Sequence, residues 1–239
     1  MLQFFIVSVT FIKLITLARR SQVHIPDGFV DLKTVISTGV ISAGGLAASI
    51  YKIKQYFKGR VIAMMGIMCA LIFALQMLNF TIPGGTSGHL LGGALAAIVL
   101  GPFAGCIVIT VVLIVQAFIF MDGGVTALGA NVFNMAIIGI FCAYLIYWLI
   151  GKISKSKINF YISVVVAAWF SVVIASFFAA FELGISGTYA MGITMKAMVG
   201  VHMLIGIGEA IITIAVIAFV NRVRPDLILS RELNREGSK

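Results

Sequence analysis

Residues 61–121 read VIAMMGIMCALIFALQMLNFTIPGGTSGHLLGGALAAIVLGPFAGCIVITVVLIVQAFIFM, and no Asp, Glu, Lys or Arg interrupts them. The stretch holds three apolar runs, 61–80, 89–101 and 104–121, parted by a Gly-rich loop and a Gly-Pro step. A bilayer-spanning helix needs roughly 20 apolar residues. Lipid offers no partner to an exposed backbone, so such runs are expected to be helices. The middle run is short for a crossing and reads as tilted or partly re-entrant. Thr86 or Ser87 is its expected cap, with the helix starting near His89.

The rest of the chain has the same character. Its 239 residues (25.6 kDa) are 61% hydrophobic and 10% charged, with a mean hydropathy of +1.14. Soluble domains run near 45–50% apolar and about 25% charged. A soluble enzyme and a disordered chain are both excluded. Further spans are expected over about 34–51, 130–150, 159–182 and 196–220, which gives an all-α membrane protein of seven transmembrane helices. Cys69, Cys106 and Cys142 lie inside apolar runs without metal-ligand spacing and read as core residues.

The net charge of +9 reports orientation rather than a nucleic-acid partner. Lys52, Lys54, Lys58 and Arg60 follow the first span. Lys152, Lys155 and Lys157 follow the fifth, and Arg222, Arg224, Arg231, Arg235 and Lys239 follow the seventh. Seven alternating spans put all three clusters on one side, the cytoplasmic one, so the bundle is expected N-out and C-in. The expected domains are 23–221 for the bundle and 222–239 for a basic cytoplasmic tail. The apolar stretch 2–18 does not fit. Lys13 interrupts it, Arg19 and Arg20 follow it, and as a span it would leave those two arginines outside.

Two histidines, His24 in VHIPDGF and His89 in PGGTSGHLLGG, are 65 positions apart, yet the topology brings both to the outer face. Histidine is the commonest transition-metal ligand, and two in turn-rich loops suggest a metal pocket. Pro26-Asp27-Gly28 is a turn former. Pro83-Gly84-Gly85 permits close backbone approach, and Gly92-Gly93 permits close helix packing. In the last span His202 and Glu209 are seven positions apart, hence on one face. Intramembrane ionisable groups are functional candidates; a buried structural hydrogen bond is the first reading of this pair, and a functional role would be coupling rather than ligation. Gln116, Asn131 and Asn134 read as interhelical hydrogen-bonding groups or as supports of a metal site. Asp27 and Ser87 share the candidate supporting role.

VHIPDGF (23–29), NFTIPGGTSGHLLGGALAAIVLGPFAG (79–105), VQAFIFMDGGVTALGANVFNMAIIG (115–139) and GVHMLIGIGEAIIT (200–213) resemble the CbiM/NikM family. Its members are the substrate-binding membrane subunits (S-components) of energy-coupling-factor (ECF) transporters for cobalt and nickel. The resemblance runs from residue 23 to about 220. It implies that metal is bound by four nitrogens: a free terminal amine, the second residue's amide nitrogen and imidazole, and a second imidazole. These map to Val23, to His24 twice, and to His89. The donors close fused five- and six-membered chelate rings, a field that suits Ni(II) and also serves Co(II). Cobalt for cobalamin biosynthesis is the first expectation, nickel the alternative. No organic cofactor is implied.

The resemblance also implies partners: ECF ATPase subunits, a transmembrane scaffold subunit and a small accessory membrane subunit, all in a prokaryotic plasma membrane. This chain has no GxxxxGK[ST] motif of its own. In the first span Ala43/Ala47 and Gly44/Ala48 are small-xxx-small pairs, ordinary helix packing in most proteins, and the resemblance implies that a scaffold subunit docks on such a surface.

Val23 departs from the pattern, because 22 residues precede it and an acylated nitrogen is no amine. Residues 1–22 are therefore expected to be a mis-assigned extension, with Val23 encoded by GTG and started as Met. Arg19-Arg20 would then be a ribosome-binding AGGAGG read as protein. Cleavage before Val23 is the alternative, at a poor site. Two other functions compete. An intramembrane metalloenzyme would use His202, Glu209 and another His, but lacks HExxH or related spacing. A purely structural membrane protein leaves the outer histidine loops unexplained.

Overall fold

The computed structural model describes residues 24–54, 59–83 and 87–230. Within them run seven helices: α1 (Leu32–Ile53), α2 (Gly59–Gln76), α3 (Gly93–Leu100), α4 (Pro102–Ile119), α5 (Leu128–Ile153), α6 (Lys157–Ile185) and α7 (Met191–Val223). A hairpin of β1 (Asn79–Thr81) and β2 (Ser87–His89) lies between α2 and α3. Six of the helices are long and apolar enough to cross a membrane.

α3 is not. Its eight residues rise only about 12 Å at 1.5 Å per residue. All eight are buried, and α3 packs on α4, α5, α6 and α7. Its alanines allow this, because Ala94, Ala96 and Ala97 let neighbouring helices close to near-contact with its backbone. Gly101, at φ 86°, is the single residue linking α3 to α4, and Pro102 starts α4 where its missing N–H costs nothing.

The structure corrects the expected start of this helix. His89 does not open it. Asn79 pairs with His89 and Thr81 with Ser87 in an antiparallel ladder, so strand hydrogen bonds satisfy that backbone instead. The ladder also stops α2 at Gln76 rather than at residue 80. Ser87 is therefore no cap; the cap position belongs to Gly92, in the left-handed region at φ 73°. A Cβ on Gly92 would lie 2.8 Å from Ile72, so the turn requires glycine on two counts.

α5 contains a wide π turn over Phe133–Gly139. Such turns redirect side chains and recur at functional sites, and this one carries Asn134. Ser171 on α6 donates to the Gly139 carbonyl at its end, at 3.0 Å. α4 is the most enclosed of the long helices and α1 the least, with 61% and 22% of their spans buried. Large apolar side chains such as Leu32, Ile67, Leu204 and Phe219 point outward, as lipid-facing residues do. The three cysteines are free.

At the other end of the bundle, α7 continues to Val223, so the basic tail expected from residue 222 begins as helix. Pro225–Leu227 then turns the chain back, and Ile228 is buried among Ile53, Val61 and their neighbours. Asp226 bridges Arg60 and Arg224 across this end. The expected extension 1–22, and Val23 with it, lie outside the described residues.

Candidate metal site

The segment leading into α1 is fixed by backbone recognition. Asn131 on α5 accepts from the Ile25 N–H at 3.0 Å and donates to the Ile25 carbonyl at 3.1 Å. That carbonyl also accepts from Gly124 N at 2.9 Å. Asp27 Oδ1 accepts from Thr126 N at 2.7 Å and from its hydroxyl at 2.6 Å, stitching the segment to the 122–127 loop. The two strands of chain touch at Gly124, where a Cβ would lie 2.4 Å from Asp27 N. Asp31 then caps α1 by accepting from Thr34 N. Removing Asn131 strips two hydrogen bonds from the Ile25 backbone, and the N–H, unlike the carbonyl that Gly124 still serves, is left unpaired at roughly 1–3 kcal/mol. Asn131→Ala is expected to weaken metal binding at least about tenfold, by the scale of lost outer supports. The bundle should remain folded; a binding titration beside a thermal melt checks both.

This clamp delivers His24 into the interior, at 3% exposure. Its Nε2 is 2.8 Å from Gln116 Oε1 in the last turn of α4. A carbonyl oxygen only accepts, so Nε2 carries the proton. Nδ1 is then the lone-pair nitrogen, and it is buried with no hydrogen-bond partner. Nδ1 is also the atom that closes a six-membered ring with the residue's own amide nitrogen. His89 stands beside it, with ring centroids 4.9 Å apart and planes at 88°. His89 Nδ1 donates to the Leu90 carbonyl at 2.9 Å, which leaves Nε2 as its free electron pair. Burial pushes the His24 imidazole down from 6.5 to about 4, against the bond from Gln116. Burial, then the neighbouring His24, holds His89 well below 6.5. Both rings are neutral at pH 7, the form that binds metal.

Both rings open on a cavity of about 40 Å³, also lined by Ser87, Asn131, Asn134 and His202. It has room for an ion or a few waters. His202 is held by its Nδ1–H to the Met198 carbonyl at 2.7 Å, which is the structural bond weighed for it. Among the described residues no group of three or more His, Cys, Asp or Glu side chains is disposed to hold a metal. The two imidazole nitrogens that face the cavity with free electron pairs are His24 Nδ1 and His89 Nε2.

Of the expected supporting residues, Ser87, Asn131, Asn134 and His202 reach the cavity. Asp27 acts on the loop beside it, and Glu209 on the backbone behind His89. Two polar residues went unnoticed. Glu182 accepts from Asn134 Nδ2 at 2.7 Å. Gln76 donates to the Leu91 carbonyl at 2.8 Å. Glu182 is the only acidic residue in the 29 of α6, a signal that intramembrane charges deserve notice. Ala43, Gly44, Ala47 and Ala48 all lie exposed on α1.

The family model described as "Cobalt uptake substrate-specific transmembrane region" matches residues 24–227. A chain of Archaeoglobus fulgidus named as a fused nickel transport protein, NikMN, is 42% identical over 208 residues, 86% of this chain and 68% of that one. The cobalt transport protein CbiM of Lachnoclostridium phytofermentans is 36% identical over 141 residues, 58% of this chain and 56% of that one. A crystal structure described as a truncated transition metal transporter superposes with a TM-score of 0.80 at 33% identity. The match covers 83% of this chain and 98% of that one.

Proposed function

We propose, from the premise that the chain belongs to the CbiM family of cobalt and nickel transport membrane proteins, that it is the metal-capturing subunit of an ATP-driven uptake transporter. The observation that carries this is the state of His24. Gln116 fixes its proton on Nε2 and leaves Nδ1 bare, inside a cavity it shares with a second neutral imidazole. Val23 and His24 supply amine, amide and imidazole nitrogens, and His89 supplies the fourth. Four nitrogens in a plane hold Ni(II) or Co(II) alike. We favour Co(II), for cobalamin synthesis, with Ni(II) the alternative. Titration of the purified chain with each ion, in competition, decides between them.

The site faces outward and the basic end faces the cytoplasm, in keeping with the sidedness of the lysines and arginines. Partner ATPase subunits supply the energy, a scaffold subunit docks on α1, and a small accessory membrane subunit joins them. Gly44→Ile with Ala48→Ile is expected to abolish co-purification of the scaffold, because small residues are what let two helix backbones approach. Metal binding by the isolated chain should stay unchanged, since neither residue lines the cavity. Loss of binding with retained co-purification would refute this docking face.

A further inference from the structure

Glu209 is buried in the middle of α7 and does not line the metal cavity. Both its oxygens accept from backbone: Oε2 from Leu91 N at 2.9 Å and Oε1 from Gly92 N at 2.7 Å. A carboxylate here sits at the N-terminal end of α3, where unpaired N–H groups favour negative charge. Capping alone would explain it, but for one connection. The Leu91 N–H and the Leu90 carbonyl belong to the same peptide group. That carbonyl is the acceptor for His89 Nδ1.

We infer that Glu209 positions and tunes His89 through this single peptide group. The chain of contacts runs from Glu209 Oε2 to the Leu91 N–H, across the amide to the Leu90 carbonyl, and on to the Nδ1–H of His89. An acceptor on the amide N–H shifts electron density towards the carbonyl oxygen, and hydrogen bonds in series strengthen one another. A stronger pull on Nδ1–H makes Nε2 a better electron-pair donor. Metal-binding histidines gain the same effect when a carboxylate contacts the ring directly; here a peptide is interposed. Orientation follows from the same bonds. Gln76 from α2 holds the Leu91 carbonyl while Glu209 from α7 holds the N–H groups on either side of it. The Leu91–Gly92 peptide is thus held at both its groups, and the Leu90–Leu91 peptide before it is held at its N–H, which keeps the Leu90 carbonyl aimed at the His89 ring.

This inference rests on His89 being a metal donor, and its test separates the two. Ni2+ is titrated into the purified full chain and into Glu209→Gln, His89→Ala and the double variant. Affinity and the visible ligand-field band are read together, with thermal melts to confirm folding. Gln keeps the shape but supplies one acceptor for two N–H groups. Glu209→Gln is expected to lower affinity about 10–100-fold and move the band to longer wavelength, with one ion still bound. In the His89→Ala background it should change neither. Unchanged affinity and band in Glu209→Gln, or an equal further loss in the double variant, would overturn the relay while leaving the site intact. Wild-type binding by His89→Ala would overturn the site and the relay together.

Discussion

His24→Ala should abolish high-affinity metal binding, with a loss of at least about 1,000-fold, or roughly 4 kcal/mol at 1.4 kcal/mol per decade. No other side-chain change should cost as much. The ring is tethered to the amide nitrogen of its own residue, so its loss opens a chelate ring as well as removing a donor. His89→Ala removes one donor that closes no ring, and about 100-fold is expected. The structure shows why the remaining protein should survive. His24 is buried, and among the described residues its ring bonds only Gln116, a loss of roughly 1–3 kcal/mol if the amide stays unpaired. Titration with Ni2+ or Co2+ below the melting temperature gives the comparison. An intramembrane metalloenzyme built on His202 and Glu209 would reverse the ranking, tolerating His24→Ala and failing without His202.

The acidity of the rings sharpens that experiment. The His24 imidazole is depressed by burial to about 4, against roughly 6.5 in an unfolded chain. Protonation therefore favours the open segment between those values, and the stability that a neutral buried ring lends is lost as pH falls from about 6.5 towards 4. Between pH 7 and 8 neither ring changes charge. Any change in metal affinity there belongs to other donors.

The helix count was legible because a bilayer imposes one length and one chemistry on a crossing span; the outer runs of 61–121 satisfy both, and the middle one, apolar but short, stands apart as α3. The hairpin was not. Nothing local in Asn79–Thr81 or Ser87–His89 announces a pairing that depends on each strand finding the other. The same holds for the support of the site. His24 and His89 stand out in their loops, but the link from His24 to Gln116 joins residues 92 apart. A polar residue in an apolar run signals that it has a partner, not which one. Asn131 was readable as a hydrogen-bonding group; its grip on the Ile25 backbone was not, because the backbone carries no sequence. The spacing put Glu209 and His202 on one helical face without saying what either would meet. The two diverge, His202 to the cavity and Glu209 to the peptide behind His89.

The second large effect concerns the nitrogen of residue 23. A chain started at Val23, as Met, should bind Ni2+ or Co2+ at least about 100-fold more tightly than one in which residues 1–22 remain attached. Amine and amide nitrogens close a five-membered ring on the metal. An acylated nitrogen at Val23 is a far poorer donor, and without that anchor the His24 amide gives up its proton less readily. Ligands must shed protons to bind, and an α-amine does so near 7.7–8.0. With the imidazoles already neutral, affinity for the short chain should rise between pH 6 and 8 as the amine deprotonates. The extended chain lacks the amine and should lack that part of the rise. Intact-mass measurement of the purified protein fixes which terminus is present, and acetylation of the short chain should reproduce the weakness of the long one. A 239-residue chain with Met1 in place, binding as tightly as the short form with the same pH profile, would remove the amine from the ligand set. The metal would then depend on His24, His89 and donors around the cavity alone.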